Sequence, residues 1–194
     1  MTATFHRTRI VVALAALWLG LTELPAPADA AGANDFPPTI DWGNQTLVRN
    51  GVGERTFSFL HIRIYVAALY LTRPSHDATE IIERMPARVL IFRFIRDVDE
   101  ERARAAWKEG FDDNCTAPCR VSAPVIAGFL ARVTALHAGD ETSLAVIGNT
   151  VTARNGSRAL GSVDDAAFAH LVLASFIGSK PASEALKRGL LGER

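Results

Sequence analysis

Asn50-Gly51-Val52-Gly53-Glu54-Arg55 runs straight into Thr56-Phe57-Ser58-Phe59-Leu60-His61-Ile62-Arg63-Ile64-Tyr65-Val66-Ala67-Ala68-Leu69-Tyr70-Leu71. In the second part Phe57, Phe59, Tyr65, Ala67 and Leu69 alternate with Leu60, Ile62, Ile64, Val66 and Ala68, so both parities are largely apolar. A strand wet on one face alternates apolar with polar residues, whereas a strand covered on both faces does not. Residues 56–71 therefore read as one long strand at the centre of a covered sheet. Gly51 and Gly53 do not form a dinucleotide-binding turn, because neither the third glycine nor the helix of that fingerprint follows them.

Working outward, residues 46–49 read as a short strand after a polar, proline-containing lead at 31–38. On the other side a short helix at 77–84 stops before Pro86, and the run Val89-Leu90-Ile91-Phe92 with Phe94 and Ile95 marks a second buried strand over 88–96. Asp97 and Glu100 stand at capping-box spacing and open a helix through 113, with Ala103, Ala106, Trp107 and Phe111 on one face. A helix at 123–136 and strands at 143–148 and 150–154 follow. Asn155-Gly156 is a hairpin signal that returns the chain along 158–163. Asp164 and Asp165 suit the positive end of a helix running to Gly178, and a last helix spans 183–191. Strands joined by hairpins and segregated from helices predict an α+β fold with a mostly antiparallel sheet.

The composition narrows the function. Lys+Arg 21 balances Asp+Glu 21, so there is no electrostatic drive toward nucleic acid. His6, Arg7 and Arg9, the apolar run 10–21 and Ala28-Asp29-Ala30 read as a cleaved signal peptide over 1–30. The run is too short for the ~20 residues that a bilayer-crossing helix takes. Residues 31–194 are then one domain, periplasmic or secreted, with no transmembrane segment and expected as a monomer. In that oxidising setting Cys115 and Cys119 read as a disulfide, with Pro118 between them disfavouring a continuous helix. A metal site is the weaker reading of the pair, because no further Cys or His stands at ligand spacing.

No hydrolase or metalloprotease motif occurs, and His61, His76, His137 and His170 have no partner spacing, so no cofactor or metal is expected. Arg55 opens the long strand, and Tyr65 shares its parity. A guanidinium and a phenol on one face of a sheet suit a carboxylate or phenolate. The alternative is an Arg55 paired with a structural carboxylate and a Tyr65 that merely fills core. Ser175 falls in the apolar stripe of Phe168, Leu171, Val172 and Phe176, where its hydroxyl either bonds the carbonyl one turn back or meets a ligand.

The chain also resembles the chalcone isomerase fold family, in particular its bacterial exported, chalcone isomerase-like branch. The likeness runs through nearly all of residues 31–194. Its marks are Asn50 to Arg55, Tyr65 to Leu71, Arg96-Asp97-Val98, Ala106-Trp107-Lys108-Glu109-Gly110-Phe111, Gly139-Asp140, Asn155-Gly156, Leu160-Gly161, Phe176-Ile177-Gly178-Ser179-Lys180-Pro181 and Leu186-Lys187. The resemblance implies an open-faced antiparallel sheet with helices packed on one side and a ligand cleft between them. In the plant enzymes, which close a chalcone to a flavanone, the phenolate-holding arginine corresponds to Arg55 and a threonine on the next strand to Tyr65. A tyrosine seven residues before an Asn-Cys pair corresponds to Trp107, which precedes Asn114-Cys115 and brings no hydroxyl. The last-helix threonine corresponds to Ser175. The plastid branch resembles a fatty-acid carrier that clamps a carboxylate between an arginine and a tyrosine, as Arg55 and Tyr65 would.

The reading is thus a binding protein for a small apolar or aromatic acid, with Arg55, Tyr65, Trp107, Asn114 and Ser175 as its ligand residues. The alternatives are an intramolecular lyase, in which Arg55 would be catalytic, and a non-catalytic envelope interaction protein.

Overall fold

A computed structural model describes residues 32, 35–57, 62–115 and 119–193. The expected signal peptide at 1–30, residues 58–61 of the expected long strand and Pro118 lie outside the described residues.

The chain forms β1 (Thr39–Trp42), β2 (Gln45–Phe57), β3 (Ile62–Leu71), α1 (Ala78–Glu83), β4 (Ala87–Phe94), α2 (Glu100–Asn114) and α3 (Ala123–Leu130). Then come β5 (Glu141–Ile147), β6 (Thr150–Asn155), β7 (Arg158–Asp164), α4 (Ala166–Ile177) and α5 (Glu184–Leu190). All seven strands form one antiparallel sheet in sequence order. The α+β class and the open-faced antiparallel sheet are as expected, but the single long strand over 56–71 is not. The short strand read at 46–49 is the start of β2, which runs on past Asn50 and Gly51 so that Arg55 lies near its end. The chain reverses between Phe57 and Ile62, which are paired as the ends of two antiparallel strands. β3 is covered on both faces, with Ala67, Leu69 and Leu71 in one core cluster and Val66, Ala68 and Tyr70 in the other, which is why both its parities are apolar.

Alternation sorts the side chains into two clusters. Ala67, Leu69, Leu71, Leu90, Phe92 and Phe94 face the helices and meet Phe168, Leu171, Val172 and Phe176 of α4. Val66, Ala68, Tyr70, Ala87 and Val89 form a smaller core on the opposite face, closed by Phe36. The lead expected to be merely polar is therefore fixed. Arg93 Nη1 donates to the Asp35 carbonyl at 2.6 Å, Arg49 Nη1 to that of Phe36, and the Tyr70 hydroxyl to that of Pro37 at 2.9 Å. The Arg93 guanidinium also stands 4.8 Å over the Phe36 ring.

Three boundaries differ from the pattern reading. The N-cap of α2 is Asp99, whose carboxylate accepts from Arg102 N at 2.8 Å, and Asp97 instead accepts from Ala138 N at 2.8 Å. α3 stops at Leu130, because Leu136 is needed for a bridge to Val98. β1 is a short strand between the lead and the strand read at 46–49.

Gly51 and Gly53 acquire a packing role. A Cβ at Gly51 would lie 2.2 Å from the Gly189 carbonyl oxygen, and one at Gly53 would lie 2.4 Å from that of Leu186. α5 thus lies backbone to backbone on β2. Asn50 finishes the joint by donating to the Leu190 carbonyl at 2.9 Å.

Candidate functional site

Arg55 and Tyr65 are register partners on β2 and β3. Cross-strand partners project to the same side with Cβ atoms ~5 Å apart, and here that side faces the helices. Tyr65 sits edge-on to Phe92 and tilted against Phe94, with centroids 5.4 Å away in each case. Arg55 Nη1 donates to the Ala182 carbonyl in the segment between α4 and α5. It has no carboxylate partner among the described residues.

Burial pushes the Tyr65 phenol up to about 12, and the Arg55 charge opposes that rise. Tyr65 is therefore a neutral donor at any ordinary pH. Its hydroxyl has no hydrogen-bond partner among the described residues.

Both side chains line a cavity of about 710 Å³ between the sheet and α2, α3 and α4. Its walls are apolar over most of their extent, with Phe92, Phe94, Phe129, Leu144, Val151 and Phe176 among them. Phe57, the most exposed large apolar side chain among the described residues at 64%, lines it beside Arg55. A mostly apolar pocket of this size with polar groups set in its wall makes a small-molecule site.

Trp107 also lines the cavity. It packs on Phe129 at 4.9 Å, on Phe111 at 5.3 Å and on Phe176 at 5.5 Å between centroids. Its indole N–H, like the Tyr65 hydroxyl, has no partner among the described residues. Ser175 is 3% exposed, and its hydroxyl donates to the Leu171 carbonyl at 2.9 Å, one turn back. Gly110 lets α2 approach it, since a Cβ there would lie 3.2 Å from Ser175 Cβ. Ser175 touches the cavity with its proton already engaged.

Asn114, expected among the ligand residues, is not in the cavity wall. Its amide donates to the Gly110 carbonyl at 2.9 Å and to the Lys180 carbonyl at 2.8 Å. It thereby ties down the segment whose Ala182 receives Arg55. Cys115 and Cys119 are joined as a disulfide, their Cα atoms 5.0 Å apart, next to that anchor.

Pattern reading missed Asp97, Arg102, Arg132 and Lys180, all of which line the cavity. The one available signal was Gly161, a glycine inside a strand pattern, which marks a close approach. Among the described residues no group of three or more His, Cys, Asp or Glu side chains could hold a metal ion. No described helix is long and apolar enough to cross a membrane.

A family profile described as chalcone isomerase-like matches residues 28–192. The chain belongs to the chalcone isomerase-like family. The crystal structure of the Arabidopsis thaliana fatty-acid binding protein AtFAP1 is similar to this chalcone isomerase-like protein with a TM-score of 0.66. The two are 14% identical, over 80% of this chain and 90% of that one. No curated protein matches the sequence. In this chalcone isomerase-like chain Arg55 and Tyr65 stand side by side in the wall of the cavity between sheet and helices.

Proposed function

We propose that this chalcone isomerase-like protein binds a long apolar carboxylic acid of the fatty-acid class. The observation that carries the reading is the cross-strand pair of Arg55 and Tyr65, with an unpartnered Tyr65 hydroxyl, at one end of an apolar cavity of about 710 Å³. Arg55 offers a charged donor fork and Tyr65 a neutral hydroxyl, two complementary donors for the oxygens of one carboxylate. The alkyl chain would lie along Phe92, Trp107 and Phe176. The likeness to a plant fatty-acid binding protein supports the same class. A signal peptide over 1–30 would place the carrier in the periplasm or outside the cell, and a cavity lined by one chain suits a monomer.

Calorimetry with hexadecanoic acid on the delipidated protein tests the reading. A charge-assisted hydrogen bond contributes about 1.5–3 kcal/mol, so Arg55→Ala should weaken binding roughly 10–100-fold. An unchanged affinity would remove the clamp. Cyclisation of a chalcone above its spontaneous rate, lost in Arg55→Ala, would support the lyase reading in its place. Trp107 argues against that outcome, since it brings no hydroxyl to a developing enolate.

A further inference from the structure

The cavity that begins at Arg55 and Tyr65 has a second cationic end. Arg132, just past the end of α3, crosses to β7, where its Nη1 donates to the Ser162 carbonyl at 3.4 Å. Gly161 makes room for the crossing. It stands at φ +126°, and a Cβ on it would lie 3.1 Å from Arg132 Nη1 and 3.2 Å from Arg132 Cδ. A guanidinium carries five N–H donors, and that single long bond engages one of them. Among the described residues Arg132 has no ion-pair partner.

Two other arginines line the cavity and are occupied: Arg102 pairs with Asp99 at 3.2 Å, and Arg154 donates to the Ser157 carbonyl at 2.6 Å. Lys180 lines the cavity without an ion pair among the described residues, in the segment whose Ala182 receives Arg55, so it belongs to the first end. Asp97, Glu109 and Asp113 are the carboxylates of the wall, and Arg132 is the unpaired cation away from Arg55. Tyr65 lies on β3 and Gly161 on β7, four strand positions along the sheet. At ~4.8 Å per position that is about 19 Å. Between them the wall is Phe92, Trp107, Leu144 and Phe176.

Resting on the carboxylate reading above, we propose that the cavity takes an acid charged at both ends, a long-chain α,ω-dicarboxylate. One carboxylate sits on Arg55 and Tyr65 and the other on Arg132. In a pocket whose far end is apolar, the second carboxylate would be stranded without water or partner, and its desolvation would abolish binding. Arg132 removes that penalty, because it is exposed and offers paired donors while the carboxylate stays wet. The same cation does nothing for a monoacid, whose far end is a methyl group.

The test is calorimetric titration of the purified protein, of Arg132→Ala and of Arg55→Ala, each with hexadecanoic acid and with hexadecanedioic acid. The wild type should bind the diacid at least as tightly as the monoacid. Arg132→Ala should weaken the diacid about tenfold while leaving the monoacid within about twofold, and Arg55→Ala should weaken both. Diacid binding tenfold weaker than monoacid binding in the wild type, or equal loss of both acids in Arg132→Ala, overturns the two-ended site and leaves the carboxylate reading standing. No binding of either acid, or monoacid binding indifferent to Arg55→Ala, overturns the carboxylate reading and this one with it. Unchanged melting temperatures in the two variants establish that the losses are local.

Discussion

Tyr65 has different values in the empty and the loaded protein. Its hydroxyl opens on the cavity with no partner among the described residues, so removing it costs the free fold little. With a carboxylate in place the same hydroxyl donates. Tyr65→Phe should therefore melt close to the wild type yet bind hexadecanoic acid about fivefold more weakly, the effect of a hydrogen bond of about 1 kcal/mol. A residue that only filled core would move both readouts together. The pH dependence follows from the same burial. The phenol's folded pKa is raised from 10.0 to about 12, so its contribution to stability is complete below pH 10 and is lost as pH rises through 12. Urea titrations across that window should show a shallower alkaline decline in Tyr65→Phe, with Tyr70, also raised by burial, supplying part of what remains. Parity along a single strand puts Arg55 and Tyr65 on one side, and the structure puts them there by cross-strand pairing. The shared face was legible; the reversal of the chain between Phe57 and Ile62 was not, because Thr56 to Leu71 contains no Gly, Pro, Asn or Asp to announce it. Asn114 has the right neighbours in sequence, and only its two main-chain carbonyl partners reveal an anchor.

Among the elements, α5 is the one whose docking depends most on missing side chains. Gly53→Ala would push a methyl group into the Leu186 carbonyl, a backbone atom that cannot rotate away. Overpacking of that kind costs about 3 kcal/mol, and differential scanning calorimetry should record a melting temperature lower by roughly 6–12 °C. Ala182 lies in the segment leading into α5 and receives Arg55, so the variant should also bind ligand less tightly. The Cys115–Cys119 bridge has a smaller reach. Closing so short a loop contributes about 2 kcal/mol by chain-entropy arithmetic, so reduction should lower the melting temperature by roughly 4–8 °C without changing the far-ultraviolet spectrum. Helix starts were legible where a cap stands alone, as at Asp77 and Ser183. They were not where two aspartates compete, as before α2. The end of α3 was hidden for another reason: Ala131 to Leu136 would continue a helix by propensity, and the bridge to Val98 overrides it.

At the scale of the whole molecule, a protein with a preformed cavity gains stability from whatever fills it. With free ligand at 100 times its dissociation constant the gain is ~2.7 kcal/mol, which for a domain of this size raises the melting temperature by about 5–10 °C. A thermal shift screen of acids, alcohols and methyl esters of one chain length should give that rise for the acids alone; equal shifts for esters would point to a greasy pocket with no clamp. The strap of Asp35, Phe36 and Pro37, fastened by Arg93, Arg49 and Tyr70 across the face away from the helices, leaves the cavity side untouched. An affinity handle at the start of the domain therefore sits behind the sheet and suits surface-immobilised measurements. The pairing of β2 with β3 carries a further implication. Slipping the register by one residue would swing Arg55 to the back of the sheet while Tyr65 stayed in front. Ligand affinity is then an assay of alignment fidelity: a preparation that has the right secondary structure and melting behaviour but a misaligned hairpin would betray itself by failing to hold an acid.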